Sequence, residues 1–362
     1  MHSASRPEER PQRRQKQVRL TRRLEPATLG QIVIQRYRAY GIELQAESRI
    51  PGLEPAGRED SVTAPIELTI GYCPEWARQA LQMSAVPLYA GQTKTDEVPT
   101  FQVEQVGNGE FFRLFYSNGT QVLADAKTQR IWGTCPPPLT LEDLCTYLLG
   151  PVMGFVLRRR GILALHASCF CIDGRAFALC GSAGCGKSTA AAALAVRGAA
   201  ILCEDIAAVR ERDGTFYVAP GYPRVNLWPD SAAYVLGDGH NLPKITPNWE
   251  KLYLGLGGKN TKFETQERAL EGIYIMESRT HAGNAPRIRE ASPQEAVVRL
   301  IQNTYMNYLL STEQRADEFD TIMKLAAAVP VRLLTPSYEV AKINAMCELL
   351  EDDARAAIVH DR

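Results

Sequence analysis

Hydrophobic and polar positions alternate with a short period in the first part of the chain. From residue 30 to about residue 135, short apolar runs are separated by turn residues, as in the runs at 66–70 and 111–116. The second run is followed by Asn118-Gly119, a strong β-hairpin signal between apolar runs. We therefore expect a small β-rich domain over residues 24–139.

The spacing of the apolar positions becomes typical of a helix after a proline run at residues 136–138. Thr140 and Asp143 form a variant of the capping box, and the apolar positions after them predict a buried helix that runs toward Arg160. The apolar stretch over residues 144–157 is interrupted and falls short of the ~20 residues that a membrane span needs. We therefore expect no membrane partner.

Tight turns then mark two further hairpins. Asp173-Gly174 joins apolar runs at 163–171 and 175–180, and a second hairpin turns at residues 213–214. Hairpins make antiparallel pairs, whereas strands separated by helices commonly pair in parallel. A mixed β-sheet is therefore predicted.

The carboxyl-terminal third returns to helical spacing. Ser292, Pro293 and Glu295 form a capping box that predicts a helix ending at about Leu310. A strand candidate over residues 331–334 separates a second helix from the last one. The predicted fold class is α/β, with a mixed-sheet core over residues 140–362 preceded by the β-rich domain.

One nine-residue run fills every position of the phosphate-binding pattern G-x-x-x-x-G-K-[ST]. Its residues are Gly181, Ser182, Ala183, Gly184, Cys185, Gly186, Lys187, Ser188 and Thr189. The glycines let backbone amides turn toward phosphates, Lys187 can reach the β- and γ-phosphates, and the Ser188 hydroxyl can hold Mg²⁺. An apolar run precedes the pattern and an alanine-rich helix follows it, as this motif requires. The sequence therefore predicts a site for ATP and Mg²⁺.

An acidic pair, Glu204 and Asp205, follows the next apolar strand. We expect the pair to emerge at the same sheet end as the phosphates. Phosphoryl transfer needs a carboxylate near the γ-phosphate to accept a proton, and a second acid can serve the metal. Without the phosphate loop, the same two acids would be interpreted as a solvated strand end.

Three further side chains are candidate site residues, and each also has a purely structural interpretation. His166 lies in an apolar run, where a lone histidine is more often a hydrogen-bonded core residue than a site residue. Arg224 could neutralise phosphate or substrate charge, or be an exposed loop arginine. Lys251 belongs to a lysine-rich stretch that could hold an acidic or carboxyl-terminal peptide, or simply be solvated.

Charge and cysteine content limit the classes of binding partner and the cellular compartments that fit the chain. The 41 basic and 41 acidic side chains cancel, so no overall field attracts nucleic acid or a membrane surface. Nine cysteines form no C-x-x-C pair, which favours a reducing cytoplasm without structural zinc. The basic residues before position 24 predict a disordered tail over residues 1–23, with an RNA, acidic-peptide or targeting role as the alternative.

The order of these motifs from about Gly161 to Val209 resembles the catalytic domain of HPr kinase/phosphorylase, a serine kinase with a PEP-carboxykinase-like fold. Residues 221–229 are similar to a stretch of the HPr-kinase-like proteins encoded with ribosomal-peptide pathways, notably lasso-peptide tailoring kinases. The resemblance implies ATP-dependent phosphorylation of a serine hydroxyl in a peptide or small protein, with a lasso-type precursor peptide preferred. It also implies a closed homo-oligomer.

The same resemblance implies a role for each site residue. His166 would contact the active site, Glu204 would accept the proton, and Asp205 would lie by the metal with Ser188. The family usually has Asp-Asp at this pair, and glutamate lengthens the reach by about 1.5 Å, which could misplace the base. The arginine loop that the family uses for the reverse reaction is not recognisable, so we expect a kinase without phosphorolysis.

Two other functions compete with the kinase. A nucleotide-binding scaffold could present precursor peptide to partner enzymes without transferring phosphate, an idea motivated by Glu204 and the basic tail. A transport or remodelling ATPase is less well supported, because no LSGGQ-like signature follows the loop and no membrane span is predicted.

Overall fold

The computed structural model describes residues 33–57, 64–91 and 100–360. The described residues from Ile34 onward form one compact unit. The tail predicted over residues 1–23 lies outside the described residues. No helix in the described part of the chain combines the length and the apolar character needed to cross a bilayer.

Eight strands form the first sheet, in agreement with the predicted β-rich region. The strands are β1 (Gln35–Ala39), β2 (Ile42–Ala46), β3 (Ile66–Ile70), β4 (Ala85–Ala90), β5 (Phe101–Val106), β6 (Phe111–Tyr116), β7 (Gln121–Asp125) and β8 (Arg130–Thr134). Their order is β1-β2-β3-β8-β7-β6-β5-β4, with β3 parallel to both of its neighbours. The hairpin predicted at Asn118-Gly119 joins β6 to β7. A short helix, α1 (Glu75–Ala80), follows β3.

A nearly continuous helical segment follows the first sheet, as predicted. It consists of α2 (Leu141–Tyr147), a π-helical turn (Leu148–Val152) and α3 (Met153–Arg159). The predicted capping box is formed: the Asp143 carboxylate accepts a hydrogen bond from the Thr140 amide at 2.8 Å, and the Thr140 hydroxyl accepts one from the Asp143 amide. The wide turn contains Pro151, which lacks the N–H that would donate a hydrogen bond in a regular helix.

The second sheet contains ten strands. The first six are β9 (Leu163–Leu165), β10 (Ala167–Ile172), β11 (Arg175–Cys180), β12 (Ala200–Cys203), β13 (Ala207–Arg212) and β14 (Thr215–Ala219). A separate two-stranded ribbon, β15 (Arg224–Leu227) and β16 (Leu252–Gly255), comes next. The sheet is completed by β17 (Lys262–Phe263), β18 (Arg268–Met276), β19 (Arg287–Glu290) and β20 (Val331–Thr335).

The second sheet is mixed, as predicted. The strands β10 and β11 form the antiparallel hairpin expected at Asp173-Gly174, whereas β18 runs parallel to both β11 and β20. The second predicted hairpin joins β13 to β14. Asp173 adopts a left-handed backbone conformation with a φ of 47°, which aspartate tolerates in such turns.

Helices cover both faces of this sheet. They are α4 (Lys187–Val196), α5 (Pro229–Leu236), α6 (Pro293–Gln302), α7 (Thr312–Ala328) and α8 (Ile343–His360). Short 3₁₀ turns lie between β5 and β6 (Gly107–Gly109), after α6 (Asn307–Leu309) and before α8 (Val340–Lys342). One apolar cluster contains side chains of α4 and α8, and another contains side chains of α6 and α7. A further buried cluster contains side chains of the first sheet, α2 and α3 together with Ile206 and Tyr222.

The helix α6 ends earlier than the sequence predicted. It stops at Gln302 rather than at about Leu310. The chain beyond it pairs with β9: the Tyr305 amide donates to the Ala164 carbonyl at 2.8 Å, and Thr304 forms a bridge with Leu165. These inter-strand bonds replace the intrahelical bonds that a longer helix would have made.

Candidate functional site

The phosphate-binding pattern lies between β11 and α4, which is the strand-to-helix context that the motif requires. Gly186 precedes the first residue of α4 and has a φ of 111°, a conformation that favours glycine. A Cβ atom there would lie 3.1 Å from a guanidinium nitrogen of Arg279. The first amides of a helix lack intrahelical partners, so an anion in the loop would be favoured at the start of α4.

Lys187 lies across the phosphate loop with its ammonium group buried. Its Nζ atom donates to the carbonyl of Gly181 at 2.7 Å and to that of Ser182 at 3.1 Å. The loop thus satisfies its own cation with backbone oxygens. A bound phosphate would have to compete with these two carbonyls for the ammonium group.

Ser188 and Glu204 are in direct contact. The Ser188 hydroxyl donates to Glu204 Oε1 at 2.7 Å, and Asn226 Nδ2 donates to Glu204 Oε2 at 3.2 Å. Glu204 is only 5 % exposed. Burial, followed by the negative charge of Asp205, raises the pKa of Glu204, while the hydrogen bond from Ser188 opposes the rise.

Asp205 is the more accessible member of the acidic pair. Its side chain is 41 % exposed, and its Oδ1 atom lies 3.2 Å from His166 Nε2. The backbone of Asp205 is left-handed, with a φ of 68°. Partial removal of Asp205 from water raises its pKa, but the hydrogen bond and charge of His166 and the charges of Lys251 and Lys187 outweigh this effect. The pKa of Asp205 therefore lies below its usual value.

His166 occupies a break between two strands. The sequence placed it inside one continuous strand, and the structure corrects this: β9 ends at Leu165 and β10 begins at Ala167. The break arises because the His166 amide leaves the sheet and donates to the Asn303 carbonyl at 2.7 Å. The imidazole meets the ring of Tyr305 edge-on, with 6.0 Å between ring centroids. A histidine at this break can reach Asp205 instead of packing in the core.

Two cavities adjoin the phosphate loop. The first has a volume of 230 Å³, and its lining includes Cys185, Gly186, Thr189, Tyr234, Met276 and Tyr338. The second has a volume of 490 Å³, and its lining includes Gly181, Ser182, Ser278, Arg287, Arg299 and Asn303. Thr189 also lies 3.2 Å from the hydroxyl of Ser231 at the start of α5. Ala183 and Gly184, at the tip of the loop, are exposed.

Lys251 and Arg224, the two basic candidates, have different surroundings. Lys251 precedes β16, lies 5.8 Å from the centroid of the Trp228 ring, and lowers the pKa of both acids of the pair. Arg224, at the start of β15, faces a third cavity whose described lining contains no residue of the phosphate loop. The structure therefore brings Lys251 to the acidic pair and places Arg224 at a separate cavity.

Asn226 and Tyr222 were not singled out from the sequence. Asn226 Nδ2 bonds both Glu204 and the Tyr222 hydroxyl, the latter at 3.3 Å. The available signal was an asparagine between Val225 and Leu227, because a polar side chain in a buried apolar run requires a partner. The identity of that partner depends on the ribbon β15–β16, which the sequence did not reveal.

The side chains at the loop fit Mg²⁺ better than a softer metal. The Ser188 hydroxyl and the Glu204 carboxylate are oxygen donors in contact, and Asn226 Oδ1 is buried without a hydrogen-bond partner. Mg²⁺ is commonly held by one or two carboxylates together with substrate phosphates. Within the described residues, no group of three or more His, Cys, Asp or Glu side chains could hold a metal.

Comparisons with known proteins find similarity among solved structures only. No family model matches the chain, and no curated protein sequence matches it. Among solved structures, the HPr(Ser) kinase/phosphatase from Coxiella burnetii is similar at 13 % identity, over 52 % of this chain and 95 % of that chain, with a TM-score of 0.28. At this identity and TM-score, the likeness does not identify an activity for this chain.

Proposed function

We propose that this protein is an ATP- and Mg²⁺-dependent kinase that phosphorylates a serine hydroxyl of a peptide or small protein. The observation that supports it most directly is the 2.7 Å hydrogen bond between Ser188 of the phosphate loop and Glu204 of the acidic pair. Phosphoryl transfer needs phosphate-binding groups and carboxylates in one place, and these two residues bring them together.

In this proposal the loop amides and Lys187 bind the phosphates of ATP. Ser188 and Glu204 would hold Mg²⁺, which neutralises charge on the phosphates when bound. The sequence assigned the metal to Ser188 and Asp205. We favour Glu204 instead of Asp205, because Glu204 is the acid in contact with Ser188 and is oriented by Asn226.

The pair of Asp205 and His166 would accept the proton of the acceptor serine. The serine oxygen attacks the γ-phosphorus, the bond from that phosphorus to the β,γ-bridging oxygen breaks, and the proton passes to the pair as ADP leaves. The sequence assigned this role to Glu204. Both Glu204 oxygens already accept hydrogen bonds in a buried position, whereas Asp205 is accessible and paired with a histidine.

The 230 Å³ cavity beside Gly186 is the proposed nucleoside pocket. It adjoins the first turn of α4, and Tyr234, Met276 and Tyr338 supply apolar and aromatic surface. Ligand pockets typically combine such surfaces with a few polar groups. A base bound there would keep its phosphates near the loop amides.

The substrate preference rests on the sequence alone. The similarity of residues 221–229 to lasso-peptide tailoring kinases supports a lasso-type precursor peptide as the acceptor. The same resemblance supports transfer without the reverse, phosphorolytic reaction. A cytoplasmic location and a homo-oligomeric state belong to the proposal on the same basis.

A nucleotide-binding scaffold is the second candidate function. It is favoured by the internal contacts of the loop, since Lys187 and Ser188 are both engaged by protein oxygens. A scaffold of this kind would bind ATP and present the peptide to partner enzymes without transferring phosphate.

Mass spectrometry of candidate peptides tests the proposal. Peptides encoded beside the gene are incubated with the protein, ATP and Mg²⁺, and a gain of one phosphate on a serine is expected. The Glu313→Gln variant, altered at an exposed position in the first turn of α7, should retain the activity. ATP binding without phosphate incorporation into any of these peptides would favour the scaffold.

A further inference from the structure

Arg224 is a buried cation without a protein counter-ion. It is 6 % exposed, its Nε atom has no hydrogen-bond partner, and its guanidinium group forms no ion pair with any described residue. Its described neighbours are the rings of Tyr222 and Tyr253, whose centroids lie 5.0 and 5.5 Å away. Burying an unpaired charge is costly, so such a group usually has a functional reason to be there.

The surrounding residues leave room for a ligand beside this group. Arg224 lines a cavity of 1090 Å³, here called the Arg224 cavity. Gly52 lies against the guanidinium: a Cβ at this glycine would be 3.1 Å from the guanidinium carbon. The charged residues that line the cavity are Arg38, Arg49, Lys244, Glu54 and Glu142 in addition to Arg224.

The other cations of this lining have interactions of their own, and those of Arg49 and Lys244 are ion pairs. Arg49 lies 3.3 Å from Glu142, and Lys244 lies 2.8 Å from Glu250. The two forward-facing nitrogens of a guanidinium group match the two oxygens of a carboxylate or phosphate, and such bidentate pairs are strong. An oxyanion would give Arg224 the charged partner that no described residue supplies.

The ribbon β15–β16 connects this cavity to the acidic pair. Arg224 and Asn226 are two residues apart on β15, about 7 Å along the strand, and Asn226 bonds Glu204. The Tyr222 ring contacts Arg224, and its hydroxyl accepts a hydrogen bond from Asn226. A molecule anchored at Arg224 would thus lie within reach of the proposed transfer site.

We propose that the Arg224 cavity binds an anionic group, a carboxylate or a phosphate, of the molecule that this protein phosphorylates. The assignment to the acceptor rests on the proposed kinase function, whereas the anion site itself does not. A carboxylate of a peptide and a carboxylate of a small molecule would satisfy Arg224 equally. The bound anion would position the acceptor, and Arg224 takes no part in the bond changes.

The test measures anion binding to the full chain with two probes, citrate and inorganic phosphate. Each is titrated at constant ionic strength while the unfolding temperature is recorded, because a ligand that binds only the folded state raises it. Lys187→Ala serves as the background, since it weakens anion binding at the phosphate loop. A saturable rise is expected for citrate, phosphate or both, in wild type and in Lys187→Ala.

Variants at position 224 assign the response to this cavity. Arg224→Gln in the Lys187→Ala background should lose at least about tenfold in affinity, because a hydrogen-bonded charge is removed. Arg224→Lys keeps the charge but lacks the planar guanidinium group, so its anion affinity should lie between those of the Lys187→Ala protein and the Arg224→Gln variant. Arg355→Gln, at an exposed position of α8, should behave as wild type.

The possible outcomes distinguish failure of the anion site from failure of the proposed kinase function. An unchanged response in Arg224→Gln, or no saturable response in the Lys187→Ala protein, overturns the anion site. If ATP binds and the anion response is lost with Arg224, but no peptide is phosphorylated, the anion site stands and the kinase assignment fails. If Arg224→Gln does not fold, Arg224→Lys in the Lys187→Ala background makes the same comparison, and an unchanged affinity there overturns the anion site.

Discussion

The phosphate-loop site and the Arg224 cavity differ in whether protein groups bind their buried cation. In the loop, Lys187 donates to two backbone carbonyls, and the neighbouring Ser188 donates to Glu204. In the cavity, Arg224 is equally buried, and it contacts two aromatic rings and a glycine without an ion pair to any described residue. When a ligand binds at the loop, it must replace hydrogen bonds that the protein already makes. A ligand at Arg224 would add hydrogen bonds without breaking existing ones. The two sites should therefore respond differently to loss of their cations.

Loss of the loop lysine should have the largest effect on activity. We expect Lys187→Ala to reduce phosphate transfer by about 10²- to 10³-fold, because a preorganised charge on the transferred phosphate is removed. Steady-state rates with ATP and the acceptor peptide measure it. Lys324→Ala, which removes an exposed lysine of α7, is the matched control. Full activity in Lys187→Ala would show that the loop does not bind the reacting phosphates.

The acidic pair should divide into a proton acceptor and a metal ligand. Asp205→Asn should lower kcat by about 10²-fold with ATP affinity retained, as expected for loss of a general base. Glu204→Gln should instead raise the Mg²⁺ concentration needed for half-maximal activity. Measuring kcat over a range of Mg²⁺ concentrations for both variants separates these effects. The reverse result would restore the roles expected from the sequence.

Asn226 should affect activity by orienting Glu204 rather than by contacting the substrate. Asn226→Leu removes the hydrogen bond to Glu204 Oε2, and orienting partners of metal ligands typically contribute about tenfold or more to metal affinity. The Mg²⁺ requirement should therefore rise, while rates at saturating Mg²⁺ change little. Asn248→Leu, which alters an asparagine bonded to Asp143 in the α2 cap, controls for general destabilisation. Equal effects of the two variants would contradict a positioning role.

The smallest effect should come from the residue between the two sites. Tyr222→Phe keeps the ring beside Arg224 and removes the hydroxyl that accepts from Asn226, a hydrogen bond worth about 1 kcal/mol. We expect citrate binding to be unchanged and the Mg²⁺ requirement to rise less than in Asn226→Leu. A loss of citrate affinity would mean that the hydroxyl itself belongs to the Arg224 cavity.

Local chemistry explains which parts of the fold were predictable. The hairpin at Asp173-Gly174, the cap at Thr140 and the strand-to-helix position of the phosphate loop depend on a few neighbouring residues, and the structure has all three. The break at His166 and the early end of α6 depend on pairing between β9 and the chain after Asn303. Contacts between segments so far apart in sequence leave no periodic signal.

The same distinction applies to the site. The meeting of the loop with the acidic pair followed from the order of strand, loop, helix and strand. The partner of each acid did not, because it depends on the left-handed backbone at Asp205 and on Asn226 reaching across from the ribbon. The surroundings of Arg224 depend likewise on Gly52 and Tyr253, which belong to segments distant in sequence.

The tether between His166 and Asn303 connects the imidazole to the end of α6. Asn303, together with Arg299 and Gln302 of that helix, also lines the 490 Å³ cavity. A molecule in that cavity would touch the residue whose carbonyl holds the histidine backbone. Displacement of the α6 terminus by about 1 Å would carry the histidine with it, and shifts of that size are enough to change catalytic rates. In the proposed kinase, a ligand in that cavity could therefore alter the rate without contacting ATP or the acidic pair.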